Sequence, residues 1–281
     1  MSKEIINDPF PHTINKKIFS KKLWQEINKN WPDKKFFETY ADGHNRTKKD
    51  SGRFGFYIMG YSANNFFKKK GYNNKFWKNF ADVELKDNIK KKFFLFLPYF
   101  RKRFEEVYDK VELQSFAVLV YTNKQIKVKV HTENPSVLMS GLIYKNTNLH
   151  TNSGTTLYKA IKEQKDSGVK FLNSINFKIF KTIPFKNNYE LCFIKTNNSF
   201  HGVENTFIEN NQERCSINWH LRLTDKSIEK IYKIKKFKDF ARSKGIHEKK
   251  ILCQLNRMET EELNFQPATD HEKEMIEKSF I

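Results

Sequence analysis

Three short stretches of this 281-residue chain carry residue types that could do chemistry together. The first is His131-Thr132-Glu133. Residues two apart on a strand point to the same face, so this imidazole and this carboxylate can reach one ion. The second is His201, within Ser199-Phe200-His201-Gly202-Val203. Two imidazoles and one carboxylate on a β scaffold, with coordination positions left open, form the facial arrangement used for non-haem Fe(II). An HxE tripeptide is common, and a strand-end histidine is ordinarily structural, so this set alone has two readings.

The third stretch is Arg214-Cys215-Ser216, thirteen residues after His201, at the start of a cleanly alternating strand. Arg214, Ser216, Asn218, His220 and Arg222 share one face; Cys215, Ile217, Trp219, Leu221 and Leu223 share the other. One reading is an amphipathic strand with its polar face in water. The other is a carboxylate clamp, because Arg donates two parallel hydrogen bonds and a hydroxyl two residues on adds a third.

Elements able to position these groups are legible in the hydrophobic pattern. Ser20 to Trp31 has Leu23, Trp24, Ile27 and Trp31 at helical spacing and stops at Pro32-Asp33. Residues 34–80, dense in Phe, Tyr, Gly and Asn, read as irregular. Asp82 to Asp109 reads as a helix kinked at Pro98. From Leu113 the period becomes strand-like. Candidate strands are Ser115–Tyr121, Ile126–Glu133, Val137–Tyr144, Thr155–Lys159, Phe177–Ile183, Tyr189–Lys195, Phe200–Val203 and Arg214–Thr224. That succession predicts a mainly β core, an antiparallel sandwich or barrel with a jelly roll as one solution. After Asp225, read as an N-cap, helical spacing returns at Ile228, Ile231, Phe237 and Phe240, ending near Gly245, and the tail reads as a further helix.

Four segments in order, HTENPSVLMSGLIY, GTTLY, FHGV and RCSI, resemble the Fe(II)/2-oxoglutarate-dependent oxygenases near their prolyl-hydroxylase-like branch. The resemblance covers about residues 113–224. It implies a double-stranded β-helix (jelly roll, cupin-like) core with N-terminal and C-terminal helices. It implies Fe(II) with 2-oxoglutarate and O2 as co-substrates, and a dioxygenase that hydroxylates a small molecule or a side chain and releases succinate and CO2. Carried over by position, His131, Glu133 and His201 ligate iron. Arg214 pairs with the distal carboxylate of 2-oxoglutarate, Ser216 hydrogen-bonds it, and Tyr144 is an assisting hydroxyl. Residues 1–112 then form a helical and irregular region that packs on the core and lines part of the substrate pocket. Residues 113–225 are the catalytic core, and 226–281 are basic C-terminal helices. The family usually has Asp where this chain has Glu133; the extra methylene still reaches iron but shifts the carboxylate. A side chain there also argues against a halogenase-like variant, in which a small residue leaves space for halide.

Several details remain open at this level. Strict alternation puts Lys127 and Lys129 on the face of His131, so either the strand bends before the motif or the barrel mouth is positive. Asn205 and Thr206 could orient His201 or merely close a turn. Arg53, in Gly52-Arg53-Phe54-Gly55-Phe56-Tyr57, suits either a substrate lid or a packed aromatic cluster. His220 suits either substrate contact or a solvated strand end.

Composition narrows the classes. With 38% hydrophobic and 15% aromatic residues the chain is globular rather than disordered. Three cysteines without CxxC spacing exclude a disulfide framework and point to a reducing compartment. The longest apolar run, Phe93 to Leu97, is too short to span a bilayer, and the first residues lack the pattern of a signal peptide. A cytoplasmic protein is expected. The net charge of +20 invites a nucleic-acid partner, yet only eight of the 52 basic residues are Arg, and Lys, Asn, Ile and Phe are inflated along the whole chain. A nucleic-acid demethylase is further disfavoured because the DNA-alkylation-repair branch has a second Arg six residues after its clamp, where this chain has His220. The non-enzymatic alternative is a basic β-barrel binding anionic partners without metal; it predicts binding that falls steeply with salt.

Overall fold

Alternating side chains from Leu113 to Leu223 do form strands, and three more strands come from the region before them. The computed structural model describes residues 5–39, 52–69, 71–123, 127–146, 151–162, 172–204, 212–233 and 263–280. The early strands are β1 (His12–Lys16), β2 (Glu38–Thr39) and β3 (Arg53–Met59). The later ones are β4 (Leu113–Thr122), β5 (Val128–His131), β6 (Val137–Asn146), β7 (Thr156–Ala160), β8 (Phe177–Thr182), β9 (Tyr189–Ile194), β10 (His201–Val203) and β11 (Arg214–Leu223).

A large sheet runs in the order β1-β9-β6-β11-β4-β3-β2, and a small one in the order β5-β10-β7-β8. Following the chain from β4 to β11, the first, third, sixth and eighth strands enter the large sheet. The second, fourth, fifth and seventh enter the small one, and every described pairing is antiparallel. This winding between two facing sheets is a double-stranded β-helix. The strands β1, β2 and β3 widen the large sheet at both edges, so the described residues within 34–80 are less irregular than their composition indicates.

The outer face of the large sheet carries the main apolar core. Helix α1 (Lys21–Lys29), capped by the Ser20 hydroxyl, buries Trp24 and Ile27 there, each contributing about 2 kcal/mol. Short helices α2 (Ala63–Phe67) and α3 (Asn74–Asn79) follow, and a π-helical segment, Phe80–Leu85, leads into α4 (Lys86–Phe104). Pro98 lies inside α4, as expected, and the helix continues through it. Its departures from α geometry lie at the π-helical entry and in the 3-10 segment Glu105–Lys110. Helix α5 (Asp225–Tyr232) is capped by Thr224 rather than by Asp225, which is its first residue. Phe237, Phe240 and Gly245 lie outside the described residues. Helix α6 (Asp270–Lys278) starts with a capping box between Thr269 and Glu272.

One polar network crosses this core. Glu190 on β9 accepts from Lys92 of α4 at 3.0 Å, Asn88 at 2.6 Å, Trp219 Nε1 at 3.1 Å and Asn15 at 3.2 Å. A buried ion pair is tolerable when its remaining donors and acceptors are engaged, as they are here. Gly141 makes room for the Trp219 indole, since a Cβ there would lie 2.0 Å from it. No helix among the described residues is long and apolar enough to cross a membrane.

Candidate metal centre and anion clamp

Strand register brings the two histidines together. His131 and His201 are direct partners across β5 and β10, with ring centroids 4.4 Å apart, and both are buried. Each ring uses Nδ1 against the carbonyl two residues earlier: His131 to Lys129 O and His201 to Ser199 O, both at 2.9 Å. A carbonyl only accepts, so Nδ1 carries the proton in each ring. In the neutral tautomer Nε2 then offers a lone pair. Phe193 of β9 supports the His201 ring at 4.6 Å.

Glu133 follows β5 rather than lying within it. Its Oε1 stands 3.5 Å from His201 Nε2, and one donor atom from each of His131, Glu133 and His201 lies within 4.8 Å of the others. Burial opposes ionisation of Glu133, but His201, His220 and His131, when protonated, outweigh it through the His201 hydrogen bond and their charge and hold the carboxyl well below its usual range. A cation therefore meets a carboxylate and two imidazole nitrogens on one side.

The open question of the two lysines is settled by a bulge. His201 faces His131 while Val203 faces Val128, so β5 has one residue more than β10 over this span. Alternation is broken there and Lys129 is exposed. Gly202 permits the close approach, because a Cβ on it would lie 2.5 Å from Val128 O.

The polar face of β11 is in the interior at Arg214, Ser216 and Asn218 and half-buried at His220 and Arg222. Arg214 and Ser216 are 4% and 0% exposed. The Arg214 Nε donates to Ser153 O at 2.9 Å, and its guanidinium lies 5.0 Å from the Phe185 ring and 5.8 Å from that of Tyr144. Its Nη2 has no hydrogen-bond partner, nor does Ser216 Oγ, and the hydroxyls of Thr122 and Ser153 are similarly buried and unengaged. Thr122 is the direct neighbour of Arg214 on β4. Burial pushes the Arg214 guanidinium down to about 10, with Arg53 adding to the effect and Tyr144 opposing it. A buried cation with free donors is costly unless something anionic completes it. Tyr144 stands at the same level as Ser216, but its hydroxyl donates to Thr155 Oγ1 at 2.8 Å and accepts from Thr155 N at 3.1 Å.

Other expected residues are distributed differently. His220 is half-buried, stacked on Phe116 at 4.8 Å, and its Nδ1 is 2.8 Å from Ser140 Oγ. Burial lowers its pKa, aided by Arg222 and His201 and opposed by Glu133. Arg53 begins strand β3 opposite Thr122, so its segment is part of the sheet. Asn205 and Thr206 lie outside the described residues. Sequence reasoning missed Ser140, Thr122 and Ser153. The first two are polar residues on inward positions of strands, a signal that needs the strand pairing to be read.

No family model and no curated protein matches the chain in sequence. Solved structures do resemble it. A Pseudomonas putida prolyl-4-hydroxylase shares 9% identity over 76% of this chain and 92% of its own, with a TM-score of 0.42. The likeness is one of fold. A Trichoplax adhaerens prolyl hydroxylase, in complex with a hypoxia inducible factor peptide fragment, shares 10% over 77% and 85%, with a TM-score of 0.47. HygX from Streptomyces hygroscopicus, with nickel and 2-oxoglutarate bound, shares 10% over 76% and 83%, with a TM-score of 0.42. What the site can do follows from its own side chains.

Proposed function

We propose that the chain is an Fe(II)- and 2-oxoglutarate-dependent dioxygenase that hydroxylates a small molecule or a side chain. The observation that carries this reading is the unengaged pair Arg214 Nη2 and Ser216 Oγ, buried on the strand whose His220 reaches the metal trio through Ser140. A trio alone would suit many ions. A trio sharing an interior with an anion clamp suits a metal and a carboxylate-bearing co-substrate together.

The donor set fits Fe(II): two imidazoles and one carboxylate hold it and leave positions open. The clamp fits one carboxylate of 2-oxoglutarate, with Arg214 and Ser216 donating to it. Iron with bound 2-oxoglutarate supplies the oxidation, in which 2-oxoglutarate and O2 give succinate and CO2 as a C–H bond becomes C–OH. His131 and His201 present fixed Nε2 atoms through their Nδ1 anchors. Glu133 supplies the anionic ligand. Phe10, Leu157, Ile183, Phe185, Leu191 and Phe193 form an apolar cluster with Tyr144 that excludes water beside the clamp.

The test is anaerobic titration of metal-free protein with Fe(II) and then 2-oxoglutarate, following the visible metal-to-ligand charge-transfer band. A band that is lost in His201→Ala and in Glu133→Ala supports the assignment. A folded protein giving no band refutes it, and salt-sensitive binding to polyanions without iron would then favour the basic binding module.

A further inference from the structure

We propose that Ser140 and His220 are positioning residues that fix the metal-binding carboxylate of Glu133. The inference rests on the metal reading above and deepens it. Ser140 Oγ donates to Glu133 Oε1 at 3.3 Å, the oxygen that also faces His201. A hydroxyl has one proton, so once Ser140 gives it to the carboxylate its oxygen can only accept. The second neighbour of that oxygen is His220 Nδ1 at 2.8 Å, which must therefore be the donor. The order is His220 N–H to Ser140 O–H to Glu133 carboxylate.

The large sheet holds this chain of bonds in place. Phe116, His220, Ser140 and Phe193 are consecutive partners across β4, β11, β6 and β9. Phe116 stacks on His220 at 22° between planes, which fixes the imidazole that orients Ser140. At the other end of the same row Phe193 lies 4.6 Å from the ring of His201. A single cross-strand row thus supports two of the three ligands, which themselves are carried by or adjoin the small sheet. Glu133 has the most need of it. It lies beyond the end of β5, outside the ladder, and has a longer, more rotatable side chain than either histidine. A hydrogen bond to the carboxylate restricts that freedom before an ion arrives.

The test is Co(II) binding by calorimetry with the cobalt d–d spectrum as a second readout, on full-length protein. Ser140→Ala should raise the Kd for Co(II) by about 10–100-fold and alter the d–d band, while the melting temperature of the metal-free protein stays near wild type. Ser140→Thr keeps the hydroxyl and should restore both readouts. His220→Leu should weaken binding less than Ser140→Ala, and the double variant should be no worse than Ser140→Ala alone, because His220 acts through Ser140. Wild-type affinity and spectrum in Ser140→Ala, or additive losses in the double variant, overturn the proposal. If Ser140→Ala does not fold, His220→Leu against His220→Asn, which keeps a donor near Nδ1, decides it by the same readouts. Failure of the metal reading is distinguishable: wild-type protein would then bind no cobalt, or Glu133→Ala would bind it unchanged, and both proposals would fall together.

Discussion

Replacing Arg214 by Leu separates the anion clamp from the metal trio. Of the five guanidinium N–H groups, the one on Nε is engaged by Ser153 O, and those on Nη2 are unengaged. A carboxylate accepting from Nη2 and from Ser216 Oγ gains charge-assisted bonds in a dry setting. A hydrogen bond to a charged group contributes about 1.5–3 kcal/mol, and losing the guanidinium also removes the ion pairing, so we take about 3 kcal/mol. That is about a 100-fold rise in the Kd for 2-oxoglutarate. Arg214→Lys keeps the charge but not the planar fork, and should fall between.

The same arithmetic appears as a thermal shift. At a 2-oxoglutarate concentration about 100 times the wild-type Kd, ligand stabilises the protein by about 2.7 kcal/mol; at a 100-fold weaker Kd it stabilises by about 0.4 kcal/mol. The assay is calorimetry and thermal melting with Mn(II) or Co(II) bound and oxygen excluded. In the ligand-free state the melting temperature should change little, because relief of the unpaired donors offsets the lost contacts to Ser153 and Phe185. A structural arginine behaves in the opposite way, lowering that melting temperature and leaving ligand affinity alone. An unchanged Kd for 2-oxoglutarate, or an equal loss of metal and 2-oxoglutarate affinity, refutes the clamp.

Three further predictions concern the frame around the site. Glu190→Gln leaves Lys92 buried without its counter-charge and should cost about 3–5 kcal/mol in denaturant unfolding, with metal affinity of the folded protein unaltered. Gly141→Ala pushes a methyl into the Trp219 indole and should cost at least about 1–3 kcal/mol, read together with a change in tryptophan emission as the indole leaves Glu190. Glu272 anchors α6: although burial opposes its ionisation, hydrogen bonds from Arg101, the Thr269 backbone and Tyr108 bring it down to about 2 from an ordinary 4.5. A lowered carboxylate stabilises the fold above the unfolded value and loses that effect as pH falls toward the folded one. The melting temperatures of wild type and Glu272→Gln should therefore differ at neutral pH and converge between about pH 4.5 and 2.

The core strands were legible because their inward and outward faces alternate; HxE alone had two readings, and the candidate trio stood out only through the order of the four motifs along the chain. What stayed hidden depended on pairing. The segment Arg53–Met59 reads as an aromatic, glycine-containing loop, and only its ladder to β4 makes it a strand. The π-helical entry Phe80–Leu85 and the 3-10 exit Glu105–Lys110 of α4 leave no mark on the helical spacing. Ser140 is one serine among many until β6 is set against β11, when it becomes the partner of His220. The lysines before His131 were ambiguous because a bulge cannot be seen in a period of two.

The two faces of β11 show how function can be told from support within one strand. On the outer face, Trp219 has its single donor engaged by Glu190, and its neighbours Ile217 and Leu221 are fully buried in the apolar core. On the inner face, Arg214, Ser216 and Asn218 each leave a buried polar atom without a hydrogen-bond partner, as does Nε of Arg222 farther along, while His220 engages Ser140. From Arg214 to Trp219 both faces are cut off from water, so solvent does not explain the difference there. Folding alone would favour apolar residues on the inner face, because each buried orphan costs about 1–3 kcal/mol. Those of Arg214, Ser216 and Asn218 are also contiguous, occupying successive inward positions from the clamp toward the row that supports Glu133. Under the proposed function, a row of unengaged donors and acceptors leading toward His131, Glu133 and His201 is the arrangement that a carboxylate-bearing ligand would complete.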